Sequence, residues 1–121
     1  MAIMDTLRAA FFEDLARLID RWTAAGVEAV RDPDSRLIWT SDAPAFRRVA
    51  QAINETGRSV DFETVLRVLL TGLLDSSLAV IDGADKSAEL GRVKLVTSDG
   101  ESLGEGLHEL FMGHLYDSGR R

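Results

Sequence analysis

The chain has 121 residues, a formal charge of −6 and no cysteine. That length holds one domain with one core, expected over residues 1–121. The acid excess speaks against nucleic-acid binding, which depends on bases neutralising phosphates, and the lack of cysteine excludes disulfides, thiolate metal sites and thiol nucleophiles.

Asp5 opens a predicted helix that runs to about Ala25, preceded by no uninterrupted apolar run, so no signal peptide is expected and the location reads as cytoplasmic. Leu7, Phe11, Leu15, Leu18 and Trp22 recur at helical spacing and form its expected core face. Phe12 and Ile19 fall on another edge, because Phe11 and Phe12 cannot both face one core. Gly26 offers the left-handed residue that ends many helices. Two short runs, 27–31 and 36–40, then flank Asp32-Pro33-Asp34-Ser35, which suits a tight turn. A first β-hairpin anchored by Trp39 is expected there; the rival reading is a helical extension followed by a loop.

Asp42 and Pro44 mark the next helix start, with Phe46, Val49, Ala50 and Ile53 on its apolar face and Gly57 at its end. Ser59 or Asp61 caps the following helix. Its stretch 62–81, FETVLRVLLTGLLDSSLAVI, is apolar round most of its circumference. Glu63, Arg67, Thr71 and Asp75 recur every fourth residue as one narrow polar stripe. So narrow a stripe predicts a central helix with neighbours on most sides. The length nearly spans a bilayer, but Glu63, Arg67 and Asp75 are costly in lipid, so a buried helix with no membrane contact is expected.

Asp82-Gly83 stops this helix. Residues 92–97 alternate as a strand, Ser98-Asp99-Gly100 supplies a turn, and residues 101–103 return, predicting a second hairpin. The last helix, from about 105 to 117, places Leu107, Leu110, Phe111 and Leu115 on one face. The predicted fold is α+β and predominantly helical. It has about four helices around a central apolar helix, with one or two short antiparallel hairpins that join into a small sheet.

No segment assembles a catalytic motif. His108 and His114 are six residues apart, about 240° around a helix, whereas a zinc-protease helix needs two histidines four apart. Glu105 and His108 have the spacing of a di-iron helix, but no second such pair exists. Neither a G-x-S-x-G turn nor a glycine-rich phosphate loop is present. No metal, cofactor or enzymatic activity is therefore expected. His114 is expected at the core edge, bonded to backbone or a carboxylate, and His108 on a solvated flank. Asp82, Asp85, Asp75 and Glu89 gather carboxylates that read as a helix stop and solvated charge rather than an acid–base pair. Asp82, Asp85, Glu89, Asp99, Glu101 and Glu105 are expected to share one side of the molecule, where they would steer a basic protein partner.

The blocks LAVID (78–82) and GRVKLVTSDGESLGEGLHELFMGHLYDSG (91–119) resemble the C-terminal part of small bacterial proteins of unknown function, and bring no catalytic residues with them. The short, acidic, cysteine-free profile is similar to that of immunity proteins that neutralise secreted bacterial toxins. That resemblance implies a small acidic cytoplasmic protein-binding domain that neutralises a toxin or inhibits another partner protein. Two alternatives stand beside it. One is a homo-oligomeric structural or regulatory domain, such as a homodimer through the first helix. The other is a small enzyme or ligand-binding domain using His108, His114 and Asp82.

Overall fold

The computed structural model describes residues 2–32, 34–35, 42–84 and 86–120, the side chains of Ala2, Lys86 and Ser87 excepted. Among the described residues it contains four α-helices, α1 (Ala2–Arg31), α2 (Ala43–Thr56), α3 (Ser59–Ile81) and α4 (Leu107–Asp117), with one 3-10 turn at Lys86–Glu89. The chain forms two compact units, Met1–Arg17 with Gly72–Arg121, and Leu18–Thr71.

The first unit is built on the aromatic pair Phe12 and Phe111, whose rings lie 5.6 Å apart at 47°. Ala16, Leu78, Leu103, Leu107 and Leu115 complete its buried apolar set. Leu107, Phe111 and Leu115 occupy successive turns of α4, as the predicted face requires, while Leu110 lies exposed beside them. Arg8 fastens the segment before α4 by donating from Nε to the Leu103 carbonyl at 2.8 Å. On α1 the buried edge is Phe12 and Ala16, and Leu7 is exposed, so the core face is turned by one residue from the predicted one.

The second unit buries Ile19, Thr23, Val27, Ala29 and Val30 of α1. Thr23 satisfies its hydroxyl on the Ile19 carbonyl at 2.6 Å, as a buried hydroxyl must. Phe12 and Ile19, expected on a free edge, are thus core residues, and Trp22, expected in the core, is half exposed. α2 begins at Asp42 and Pro44 and ends at Gly57, which has a φ of 66° and donates to the Ile53 carbonyl. None of its residues is buried. Asn54 ties α2 to the end of α1 by donating to the Val30 carbonyl at 3.2 Å.

The α+β expectation is overturned, since no strand or sheet forms among the described residues. Residues 27–31, predicted as the first strand, continue α1. Gly26 does not end the helix; it permits a close approach, because a Cβ there would collide with the Leu66 side chain. A mid-helix glycine costs about 1 kcal/mol and valines a few tenths each, whereas burying each valine contributes roughly 1.5–3 kcal/mol. Packing decides the outcome. Residues 36–40, Trp39 and Pro33 lie outside the described residues.

The second predicted hairpin reduces to a turn with an isolated antiparallel bridge between Val96 and Ser102. Thr97 N–H donates to the Glu101 carbonyl at 2.8 Å, and Leu103 N–H to that of Leu95 at 2.9 Å. Gly104 and Gly106, with φ of 116° and 65°, then bend the chain into α4 before a return strand can lengthen. A two-residue ladder with no third strand is too short to persist as sheet.

Candidate functional site

α4 opens on Gly106, which has no side chain to cap the free N–H groups of the first turn. Asp82, just past the end of α3, supplies the cap from a distance. Its Oδ1 accepts the Leu107 N–H and its Oδ2 the His108 N–H, both at 3.0 Å. The same Oδ2 lies 2.5 Å from Nδ1 of the His108 ring. The Asp82 side chain is only 9% exposed and that of His108 32%. Burial works against the charged Asp82, but the N–H and ring of His108 and the N–H of Leu107 outweigh it and hold the carboxyl below its usual value. His108 is shifted the other way: the bond to Asp82, against some desolvation, raises its pKa, with help from the charges of Asp82, Asp75 and Glu109. His108 is therefore a bonded cap partner, not the solvated flank expected. Glu109 Oε1 lies 3.9 Å from Nε2 of the same ring, but among the described residues no group of three His, Asp or Glu side chains is placed to hold a metal ion.

His114 lies at the core edge against a carboxylate, as its position on α4 predicts. Its Nε2 is 3.1 Å from Glu13 Oε1. Arg120 holds Glu13 from the other side with two bonds, 2.8 Å to Oε1 and 3.2 Å to Oε2. Arg120 first, then His114, pull the Glu13 pKa down to about 2. The cluster ties α1 to the end of α4.

The six acidic residues expected on one partner surface divide. Asp82 is consumed by the α4 cap. Glu89, Asp99, Glu101 and Glu105 are exposed, and Asp85 lies outside the described residues. Asp99 and Glu101 belong to the Thr97 turn, their N–H groups donating to the Thr97 hydroxyl. Asp82 and Glu105 share a small cleft with Arg92 and Lys94, which offset their charge. Even so, the first unit carries twelve acids against seven bases, a net of −5, and the second only −1.

The feature with no counterpart in the sequence reading is the orientation of α3. From Arg67 on, its polar stripe turns inward, while Glu63 stays exposed. Arg67 pairs with Asp20 at 2.7 Å, Thr71 is buried, and Asp75 Oδ1 is buried without a hydrogen-bond partner among the described residues. Thr71 and Leu78 are the buried residues of α3 among those described. The opposite stripe, with Val65, Val68, Leu69, Leu73 and Val80, is exposed, Leu69 and Leu73 by 65% and 64%. Expected as an enclosed central helix, α3 is long and apolar enough to cross a membrane, yet only 11% of its most apolar window is buried. The sequence signal was present in Gly72 and Ser76, two small residues four apart in the middle of this stripe.

No protein-family model matches the chain, and no characterised protein or solved structure matches it.

Proposed function

We propose that the chain is a protein-binding domain that meets its partner through the outward apolar stripe of α3. The observation that supports this reading is the inverted helix, with Arg67, Thr71 and Asp75 turned inward and Leu69 and Leu73 left outside. Soluble proteins rarely leave apolar patches of more than a few hundred Å² uncovered, and such patches mark interaction surfaces. A bilayer suits the stripe less well. Asp61 is exposed at its start, and the chain's charge of −6 opposes anionic lipid. The acidic charge of the first unit, which also carries residues 72–81 of α3, adds long-range steering toward a basic partner. Neutralising a toxin or inhibiting another partner protein is the activity such a domain would perform in the cytoplasm.

The chain has no cysteine, so Ser76→Cys gives a unique attachment point on the stripe for a photo-crosslinker. Irradiation in host extract is expected to yield protein adducts at Ser76→Cys and few at an Asp99→Cys control. Adducts that are lipid, or equal at both positions, would contradict the proposal.

A further inference from the structure

We infer that the groove between the end of α1 and α2, in the second unit, binds a small apolar monocarboxylate, its carboxylate on Arg47 and its hydrocarbon chain along the groove. This site is separate from the α3 stripe and does not rest on it.

The shape comes from small side chains facing each other. Arg47, Ala50 and Asn54 follow at intervals of three and four residues, so one side of α2 presents them together. Asn54 pins that side to α1 by its bond to the Val30 carbonyl at 3.2 Å. Ala50 on α2 and Ala29 on α1 are too short to fill the space left between the helices. The result is a groove of about 240 Å³, with Val30 and Phe46 completing its apolar wall. Pockets for drug-sized ligands run to roughly 300–1,000 Å³, so this one suits a smaller molecule.

The charge comes from Arg47. It lines the groove and makes no hydrogen bond or ion pair among the described residues. Arg31 at the end of α1 lines the groove too and is likewise unpaired, although it also borders a separate cleft with Glu28 and Glu63. Acids outnumber bases in the chain by 20 to 14, yet neither arginine has taken one as partner.

These two features together select the ligand. Anything apolar that settles on Phe46 and Ala50 also covers part of Arg47, and a guanidinium removed from water needs an acceptor in exchange. A neutral hydrocarbon supplies none. Inorganic phosphate supplies one but gains nothing from the apolar wall. A carboxylate on a short hydrocarbon chain meets both demands, since its two oxygens match the fork of the guanidinium.

Titration of the isotopically labelled full chain with sodium octanoate, followed by amide NMR, tests this. Saturable shifts are expected at Ala29, Val30, Ala50 and Asn54. Each buried methylene is worth about fourfold in affinity, so octanoate should bind about fifteenfold more tightly than hexanoate. Arg47→Gln removes no contact within the chain and should weaken octanoate about tenfold while leaving the weaker binding of octanol unchanged. Ala50→Leu fills the groove and should abolish both; if that variant is misfolded, Arg47→Gln still decides. Absence of saturable shifts at millimolar octanoate would overturn the inference. So would octanol or inorganic phosphate binding as tightly as octanoate, an Arg47→Gln chain that binds octanoate like wild type, or shifts centred on Leu69 and Leu73 of α3 instead of the groove.

Discussion

Asp82 and His108 are joined twice, through the His108 main-chain N–H at 3.0 Å and through its ring at 2.5 Å. The two residues are 26 apart in sequence, so the pair links the end of α3 to the start of α4 and takes the place of the missing side chain at Gly106. Replacing Asp82 with alanine frees two N–H groups of the first turn. The expected cost is about 1–3 kcal/mol, combining a lost cap with partly buried donors left unpaired. Asp82→Asn, which keeps acceptor capacity, should lose less. Urea unfolding measures both, and amide exchange should show faster opening of the first turn of α4 before any other helix is affected.

The pair also sets a pH dependence. His108 holds its proton above its ordinary value of 6.5, chiefly through the bond to Asp82. Its contribution is fully present below pH 6.5 and is lost as pH rises through the folded-state value. Asp82 acts in the opposite sense. Held below its ordinary 3.8, it contributes above that pH and loses its contribution as pH falls through the folded value. The pair therefore stabilises most between pH 3.8 and 6.5. Glu13, at about 2 instead of 4.5, contributes above pH 4.5 and fails only in strong acid. Thermal unfolding of wild type should show stability declining as pH rises above 6.5 and through the folded-state value of His108, and His108→Gln should flatten that decline. An equal slope in both proteins would show that the ring bond carries no linkage.

Gly26 tests the packing of the second unit. Gly26→Ala drives a Cβ into Leu66 and should cost about 1–3 kcal/mol, despite alanine's better helix propensity. Leu66→Ala should relieve that strain. In a double-mutant cycle the two changes together should cost less than the sum of each alone.

Leu69 and Leu73 separate the observed fold from the one their sequence implies. As residues of an enclosed helix, each would lose about 2–5 kcal/mol on truncation to alanine. At 65% and 64% exposure each should change the stability of the dilute protein by less than about 0.5 kcal/mol. Phe111→Ala, in a fully buried position, should cost about 3–5 kcal/mol.

The contrast between these residues explains what the sequence makes legible. α2 and α4 carry their own punctuation: Pro44 with Gly57 in one, and Leu107, Phe111 and Leu115 at regular helical spacing in the other. Both lie close to where local rules put them. Residues 27–31 do not, because valines and a preceding glycine read locally as strand and turn, and the burial of Val27, Ala29 and Val30 makes them helix. The Asp82 cap is invisible locally as well, since its donors lie 25 and 26 residues away. α3 fails for another reason. Periodicity shows that a helix has a polar and an apolar side, but which side faces the core depends on partners such as Asp20.

The central claim is that the outer stripe of α3 is covered in the associated protein. The most direct measurement is the rate of thiol modification at Ser76→Cys and at Asp99→Cys, each compared between nanomolar purified protein and native extract. The account predicts that Ser76→Cys reacts fast when purified and at least tenfold more slowly in native extract, while Asp99→Cys keeps one rate throughout. A Ser76→Cys thiol that reacts equally fast under both conditions would contradict it.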